Sequence, residues 1–173
     1  MVLVGARASG KSTVGKELAW RLGWSFVDTD VGVAAVVGRA VGAFLAEHGE
    51  AAFRAVEAEV VDDALRHPNR AVVALGGGAV TIDAVASALR SLPVLVVWLE
   101  APVAELVRRL RADPIQRPPL TDLPLEEEVR ALLARRAARC EALAHIRLET
   151  FPANVDACCA SLLATIQPLL TGS

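Results

Sequence analysis

"GARASGKSTVG", Gly5 to Gly15, is the stretch from which the rest of the chain can be read. Gly5, Gly10, Lys11 and Ser12 satisfy the spacing GxxxxGK[ST]. A short apolar run, "MVLV" at Met1, precedes it. After it, "KSTVGKELAWRLG" sets Val14, Leu18, Ala19 and Leu22 at helical spacing and stops at Gly23. Strand, glycine loop and helix in that order suit a phosphate. Successive backbone N–H groups of the loop curl round it, the helix N-terminus adds the positive end of its dipole, and the lysine bridges the terminal phosphates. The stretch reads as a nucleotide-phosphate site, with Ser12 offering its hydroxyl to Mg²⁺. The competing reading is a tight strand-to-helix turn that merely favours glycine.

Working outward, short apolar runs alternate with longer helical stretches, the pattern of an α/β protein with a parallel sheet. The runs after "MVLV" are "WSFVD" at Trp24, "AVVAL" at Ala71, "PVLVVWLE" at Pro93 and "HIRLE" at His145. Helices are expected in "GEAAFRAVEAEVVDDALRHPN", "VAELVRRLR", "LEEEVRALLARRAAR" and "VDACCASLLATI". The segment Ala112–Pro124, "ADPIQRPPLTDLP", carries four of the nine prolines and cannot be a continuous helix, so it is expected to be a loop between two helices. Loops of that length in compact domains are often lids or binding segments.

Composition narrows the class. With 173 residues the chain is expected to form one domain, 1–173, around one core. Its longest apolar strip, "VGVAAVVGRAVGAFLA" from Val31, is broken by Gly32, Gly38, Gly42 and Arg39, so no membrane span or secretory signal is expected and the protein reads as cytoplasmic. A net charge of −2 offers no bulk attraction to nucleic acid or to an anionic membrane. The three cysteines, Cys140, Cys158 and Cys159, form no disulfide framework and are expected to be buried thiols.

Other constellations bear on what receives the phosphate. No Asn-Lys-x-Asp tetrad for reading guanine is present, which favours ATP. "FVDTD" places Asp28 and Asp30 two apart; on a strand both carboxylates would leave one face at the carboxyl end of the sheet, where open α/β sheets bind ligands. One would help hold hydrated Mg²⁺ and the other accept a hydroxyl proton. "FRAVE" puts Arg54 and Glu57 on one helical face, where the carboxylate can orient the guanidinium to grip a substrate carboxylate, or simply form a surface pair. "GGGAV" allows the backbone at Gly76, Gly77 and Gly78 to approach a ligand closely, or is only a flexible turn.

In this order the P-loop, DTD, FRxxE, GGGAVT, the Arg-Pro segment and an arginine-rich helix resemble shikimate kinases, over roughly Val2 to Thr150. The resemblance implies a three-layer P-loop fold of the nucleoside-monophosphate-kinase type, with a five-stranded parallel sheet flanked by helices and a mobile lid at about 112–124. It implies transfer of the γ-phosphate of ATP, with Mg²⁺, to the 3-hydroxyl of shikimate, in chorismate and aromatic amino acid biosynthesis, by a monomer. Carried across, Ala8, Ser9, Gly10, Lys11, Ser12 and Thr13 hold the ATP phosphates, Ser12 binds Mg²⁺, and Asp28 lies in its outer shell. Asp30 contacts the acceptor hydroxyls and is the family's proposed base. Arg54, Arg136 and the glycines Gly76 to Gly78 hold shikimate, Arg117 of the lid closes on the transferring phosphate, and Arg109 stacks near adenine. Ala8 stands where the family commonly has glycine, and Ala138 and Cys140 stand at its Pro and Tyr positions. A gluconate-type P-loop kinase and a catalytically silent nucleotide-binding homologue are the alternatives.

Overall fold

The computed structural model describes residues 1–67, 70–113 and 121–171. Five strands form one parallel sheet: β1 (Val2–Gly5), β2 (Ser25–Asp28), β3 (Ala71–Ala74), β4 (Val96–Glu100) and β5 (Ile146–Glu149), in the spatial order β2-β3-β1-β4-β5. β1 is therefore central, with Leu3 in register with Ala74 on one side and Val97 on the other. Seven α-helices lie among the described residues: α1 (Lys11–Leu22), α2 (Thr29–Val37), α3 (Val41–Leu65), α4 (Asp83–Ser91), α5 (Val103–Ala112), α6 (Leu125–Leu143) and α7 (Val155–Thr171). This is the fold class expected from the alternating runs.

The inner strands read as unbroken apolar runs because both faces of the sheet are covered. Val2, Val4, Val73, Val96 and Trp98 pack with Val61 and Ala64 of α3, Val85, Ala86 and Leu89 of α4, and Cys140 and Leu143 of α6. Leu3, Val72, Val97 and Leu99 point the other way, onto Val14, Leu18 and Ala19 of α1 and Cys158, Cys159 and Leu162 of α7. All three cysteines are thus buried core side chains, as expected, and burial pushes each thiol above its ordinary pKa. A smaller cluster of Leu106, Val107 and Val129 ties α5 to α6.

Three local readings change. Asp28 and Asp30 do not share a strand: β2 ends at Asp28, whose carboxylate accepts the N–H of Asp30 at 3.1 Å and so caps α2. A short polar side chain that can bond two residues ahead ends the strand before its alternation reaches Asp30. The helix expected from Gly49 begins earlier, at Val41, and Gly49 breaks it into two rods with φ 80° and ψ 171°. α4 was not read from the sequence at all, although Val85, Ala86 and Leu89 form its buried stripe. No single helix among the described residues is long and apolar enough to cross a membrane. Of the segment 112–124, residues 114–120 lie outside the described residues, and with them Arg117 and the expectation of a mobile lid.

Candidate active site

Every strand delivers something to the same carboxyl edge of the sheet. β1 runs into the loop Gly5–Gly10, β2 ends at Asp28, β3 leads to Gly76–Gly78, β4 ends at Glu100, and β5 leads to Thr150. The loop after the central strand is held close to its neighbour: Gly5 has φ 145°, and a Cβ there would lie 2.4 Å from the Leu99 carbonyl oxygen. Only glycine fits.

In the loop, Lys11 is 8% exposed and its ammonium donates to the carbonyls of Gly5 (3.0 Å) and Ala6 (2.7 Å). The lysine thus folds back over the ring of loop amides at the N-terminus of α1. Ser9 is buried, and its hydroxyl has no hydrogen-bond partner among the described residues. Ala8 takes a left-handed φ of 60°, the conformation for which glycine is the easier residue. Ser12 Oγ donates to Asp28 Oδ2 at 2.6 Å, bringing a hydroxyl and a carboxylate oxygen together beside the loop. Ser12, Thr13, Lys16, Glu17 and Val155 line an open cleft where α1 and α7 begin.

A second group gathers around the three glycines. The N–H of Gly76 donates to Thr29 Oγ1 at 2.9 Å, which ties the loop after β3 to the start of α2. A Cβ on Gly76 would meet Asp30 Oδ1 at 2.6 Å and Glu57 Oε1 at 2.8 Å, so a side chain there would have to push both carboxylates aside. Arg54 Nη1 donates to Glu57 Oε2 at 2.5 Å, while its Nε and Nη2 lie 3.4 and 3.2 Å from Glu50 Oε1. Glu57 is 4% exposed; burial raises its pKa, and Arg54 and Arg136 pull it back only in part. Arg136 lies mid-way along an unbroken α6, with Nη1 3.5 Å from where a Gly77 Cβ would stand. No hydrogen bond or ion pair reaches Arg136 from the described residues. Burial first, and the charge of Arg54 second, lower its pKa. Cys140, one turn further on, lines a small cavity with Gly77 and Arg136, and Ala138 faces solvent; with Ala138 and Cys140 in these places the helix runs unbroken through Arg136.

Two anion-seeking centres on one sheet edge, one at a P-loop and one at a pair of arginines, describe a phosphotransferase with an anionic acceptor. The family model described as shikimate kinase matches residues 7–167. A curated relative, shikimate kinase 2 of Dickeya chrysanthemi, is 44% identical over 145 residues, covering 83% of this chain and 82% of its own. The chain belongs to the shikimate kinase family. A solved structure of shikimate kinase from Acinetobacter baumannii in complex with shikimate superposes with a TM-score of 0.87 at 30% identity, covering 98% of this chain and 93% of that one. A gluconokinase from Sinorhizobium meliloti shares the fold at a TM-score of 0.64 and 18% identity, covering 97% of this chain and 91% of that one.

Within this shikimate kinase fold, the residues singled out from sequence fall into two adjoining groups. Ala8 to Thr13 and Asp28 stand at the loop after β1, and Asp30, Arg54 and Arg136 gather around Gly76 to Gly78 after β3. Arg109 lies beside the P-loop, donating from Nη1 to the Ala8 carbonyl at 3.2 Å. Sequence reading missed Thr29, whose hydroxyl holds the glycine loop, and Thr150, which stands just past β5. Thr29 lay in plain view between the two aspartates. Thr150 carried no motif, and its single signal was its place at the end of a strand.

Proposed function

We propose that this chain works as one unit that transfers the γ-phosphoryl group of ATP to the 3-hydroxyl of shikimate, releasing ADP and 3-phosphoshikimate. The observation that carries the acceptor reading is Arg136: a half-buried guanidinium that no hydrogen bond or close ion pair from the described residues reaches, with only the more distant charge of Glu57 to offset it, beside the Arg54–Glu57 pair. A desolvated cation in that position is stabilised by a substrate carboxylate, which both guanidiniums can bind with charge-assisted hydrogen bonds. A rigid carboxylated ring then spans from the arginines to Asp30 across the bare glycine backbone.

In the transfer, the acceptor oxygen forms a bond to the γ-phosphorus as the bond from phosphorus to the bridging oxygen of ADP breaks. The hydroxyl proton passes to the Asp30 carboxylate, and ADP keeps the electron pair of the broken bond. Lys11 leaves its two carbonyls and places its charge on the terminal phosphates, while the loop amides hold the β-phosphate. The oxygen donors Ser12 and Asp28, 2.6 Å apart, suit Mg²⁺, which binds through few protein groups and keeps much of its water. When bound, the ion offsets negative charge on the β- and γ-phosphates. Ser12 would hold it directly and Asp28 through water. Arg117 is assigned to the transferring phosphate by family resemblance alone. Both substrate groups come from one chain, so a cytoplasmic monomer suffices.

The test is ADP release measured with shikimate, with gluconate and with no acceptor. Rapid release with shikimate alone is expected. Equal rates with gluconate point to a different kinase, and no release with either acceptor points to a silent nucleotide-binding protein.

A further inference from the structure

Thr150 sits at the one point where β4, α5 and the phosphate loop converge, and it is 4% exposed. Its Oγ1 lies 3.0 Å from the Ser9 carbonyl oxygen of the loop and 3.0 Å from the Glu100 carbonyl oxygen at the end of β4. The hydroxyl has a single proton, so it donates to one of these two carbonyls at a time. It also accepts from Arg109 Nη1 at 3.1 Å, and the Thr150 carbonyl accepts from Arg109 Nη2 at 2.8 Å. The same Nη1 donates to the Ala8 carbonyl. Arg109 is in turn fixed from behind, its Nε donating to Glu105 Oε1 at 2.6 Å, and Glu105 is 7% exposed.

Two consecutive carbonyls of the loop, Ala8 and Ser9, are therefore held from outside by one threonine and one arginine. They are the carbonyls whose orientation decides where the next amides point, because each peptide plane carries the carbonyl of one residue and the N–H of the next. Fixing Ala8 O sets the Ser9 N–H, which donates to the Ala6 carbonyl at 3.3 Å and so closes the loop on itself, and fixing Ser9 O sets the direction of the Gly10 N–H. The need is greater here because Ala8 has φ 60°, which an L residue rarely holds unaided.

We propose that Thr150 is a positioning residue for ATP: with Arg109 and Glu105 it forms a strap that holds the phosphate loop in its anion-binding shape before nucleotide arrives. The strap touches no phosphate itself.

The proposal rests on the reading of the loop as the ATP site, and its test separates the two. In Thr150→Val the shape is kept and the hydroxyl is lost. ATP KM and the Kd for a fluorescent ADP analogue are expected to rise about fivefold, the scale of one buried hydrogen bond, while KM for shikimate moves less than twofold. Thr150→Ser restores the hydroxyl and is expected to return both nucleotide constants to wild type. Ala8→Gly, which relieves the left-handed strain, is expected to recover part of the loss when combined with Thr150→Val. If Thr150→Val fails to fold, Glu105→Gln loosens the anchor of Arg109 instead and is expected to raise the ADP-analogue Kd two- to threefold. A folded Thr150→Val with wild-type nucleotide binding overturns the proposal, as does a Thr150→Ser as weak as the valine variant, a parallel rise in shikimate KM, or an unchanged Glu105→Gln where that variant is needed. A wild-type protein that binds no adenine nucleotide overturns the ATP reading itself.

Discussion

A single missing side chain shapes the acceptor side. Gly76 needs no unusual φ; glycine fits there because Asp30 and Glu57 close in on it from two directions. In Gly76→Ala the new methyl would sit within 2.6 Å of one carboxylate oxygen and 2.8 Å of the other, so both must move. A displacement of that size at a reacting group costs on the order of 10²-fold in rate. We expect kcat/KM for shikimate to fall by that order while ADP binding, which depends on the loop after β1, stays within twofold. Measuring the two constants side by side checks this, and a matching loss of ADP binding would show that the two groups are not separable. Glu57 contributes by being buried beside Arg54: the guanidinium offsets much of the carboxylate's desolvation, and the carboxylate fixes where the guanidinium points. FRxxE was legible as a motif. That its glutamate would be the buried member and its arginine the reachable one was not, because spacing gives the helical face and says nothing of depth.

The elements around the site show the same division between what pattern reveals and what packing decides. β1, β3 and β4 were plain as unbroken apolar runs, since a strand covered on both faces must be apolar throughout, whereas the edge strand β5 alternates Ile146, Arg147, Leu148 and Glu149 with only Leu148 buried. The turn from β2 into α2 was misread because strand alternation and helix capping compete for the same aspartate, and the capping bond won. α4 went unread although its apolar face is clear, because it is only nine residues long and sits between two strands. In α5, Glu105 pairs with Arg108 and Arg109, and the hydrogen bond from Arg108 is the first reason its pKa falls to about 2. In the unfolded chain the same carboxyl titrates near 4.5. As pH drops from 4.5 to 2, the unfolded chain takes up a proton that the folded protein refuses, so the stabilisation from Glu105 is whole above 4.5 and is lost across that window. The expected outcome is a urea midpoint higher in wild type than in Glu105→Gln at pH 6, with the gap narrowing steadily below pH 4.5 and most of it gone by pH 2.5. A gap that does not change with pH would remove Glu105 from acid unfolding.

At the scale of the whole molecule, an acidic chain still brings four cations to one edge of its sheet: Lys11 at the loop after β1, Arg54 and Arg136 around the glycines after β3, and Arg109 between the loop and β5. The net charge of −2 gave no hint of that clustering; only the order of motifs did. The packing is as uneven as the charge. From Asp30 to Val56 the one buried residue is Val33, whereas β1, β3 and β4 are almost wholly buried. The rod of α3 before Gly49 contributes no buried side chain, and the rod after it contributes Glu57, Val61 and Ala64. A stretch that buries so little apolar surface opens at a small fraction of the free energy needed to unfold the sheet. In hydrogen–deuterium exchange, amides of residues 31–56 are expected to exchange well ahead of those in β1 and β4, and saturating shikimate is expected to slow them selectively. Uniform exchange across the chain would contradict this. On the function proposed above, the two halves of the reaction would be handled by parts of different rigidity, a firm nucleotide platform and a soft acceptor arm. Heat or mild denaturant should therefore abolish recognition of shikimate while adenine nucleotide is still bound.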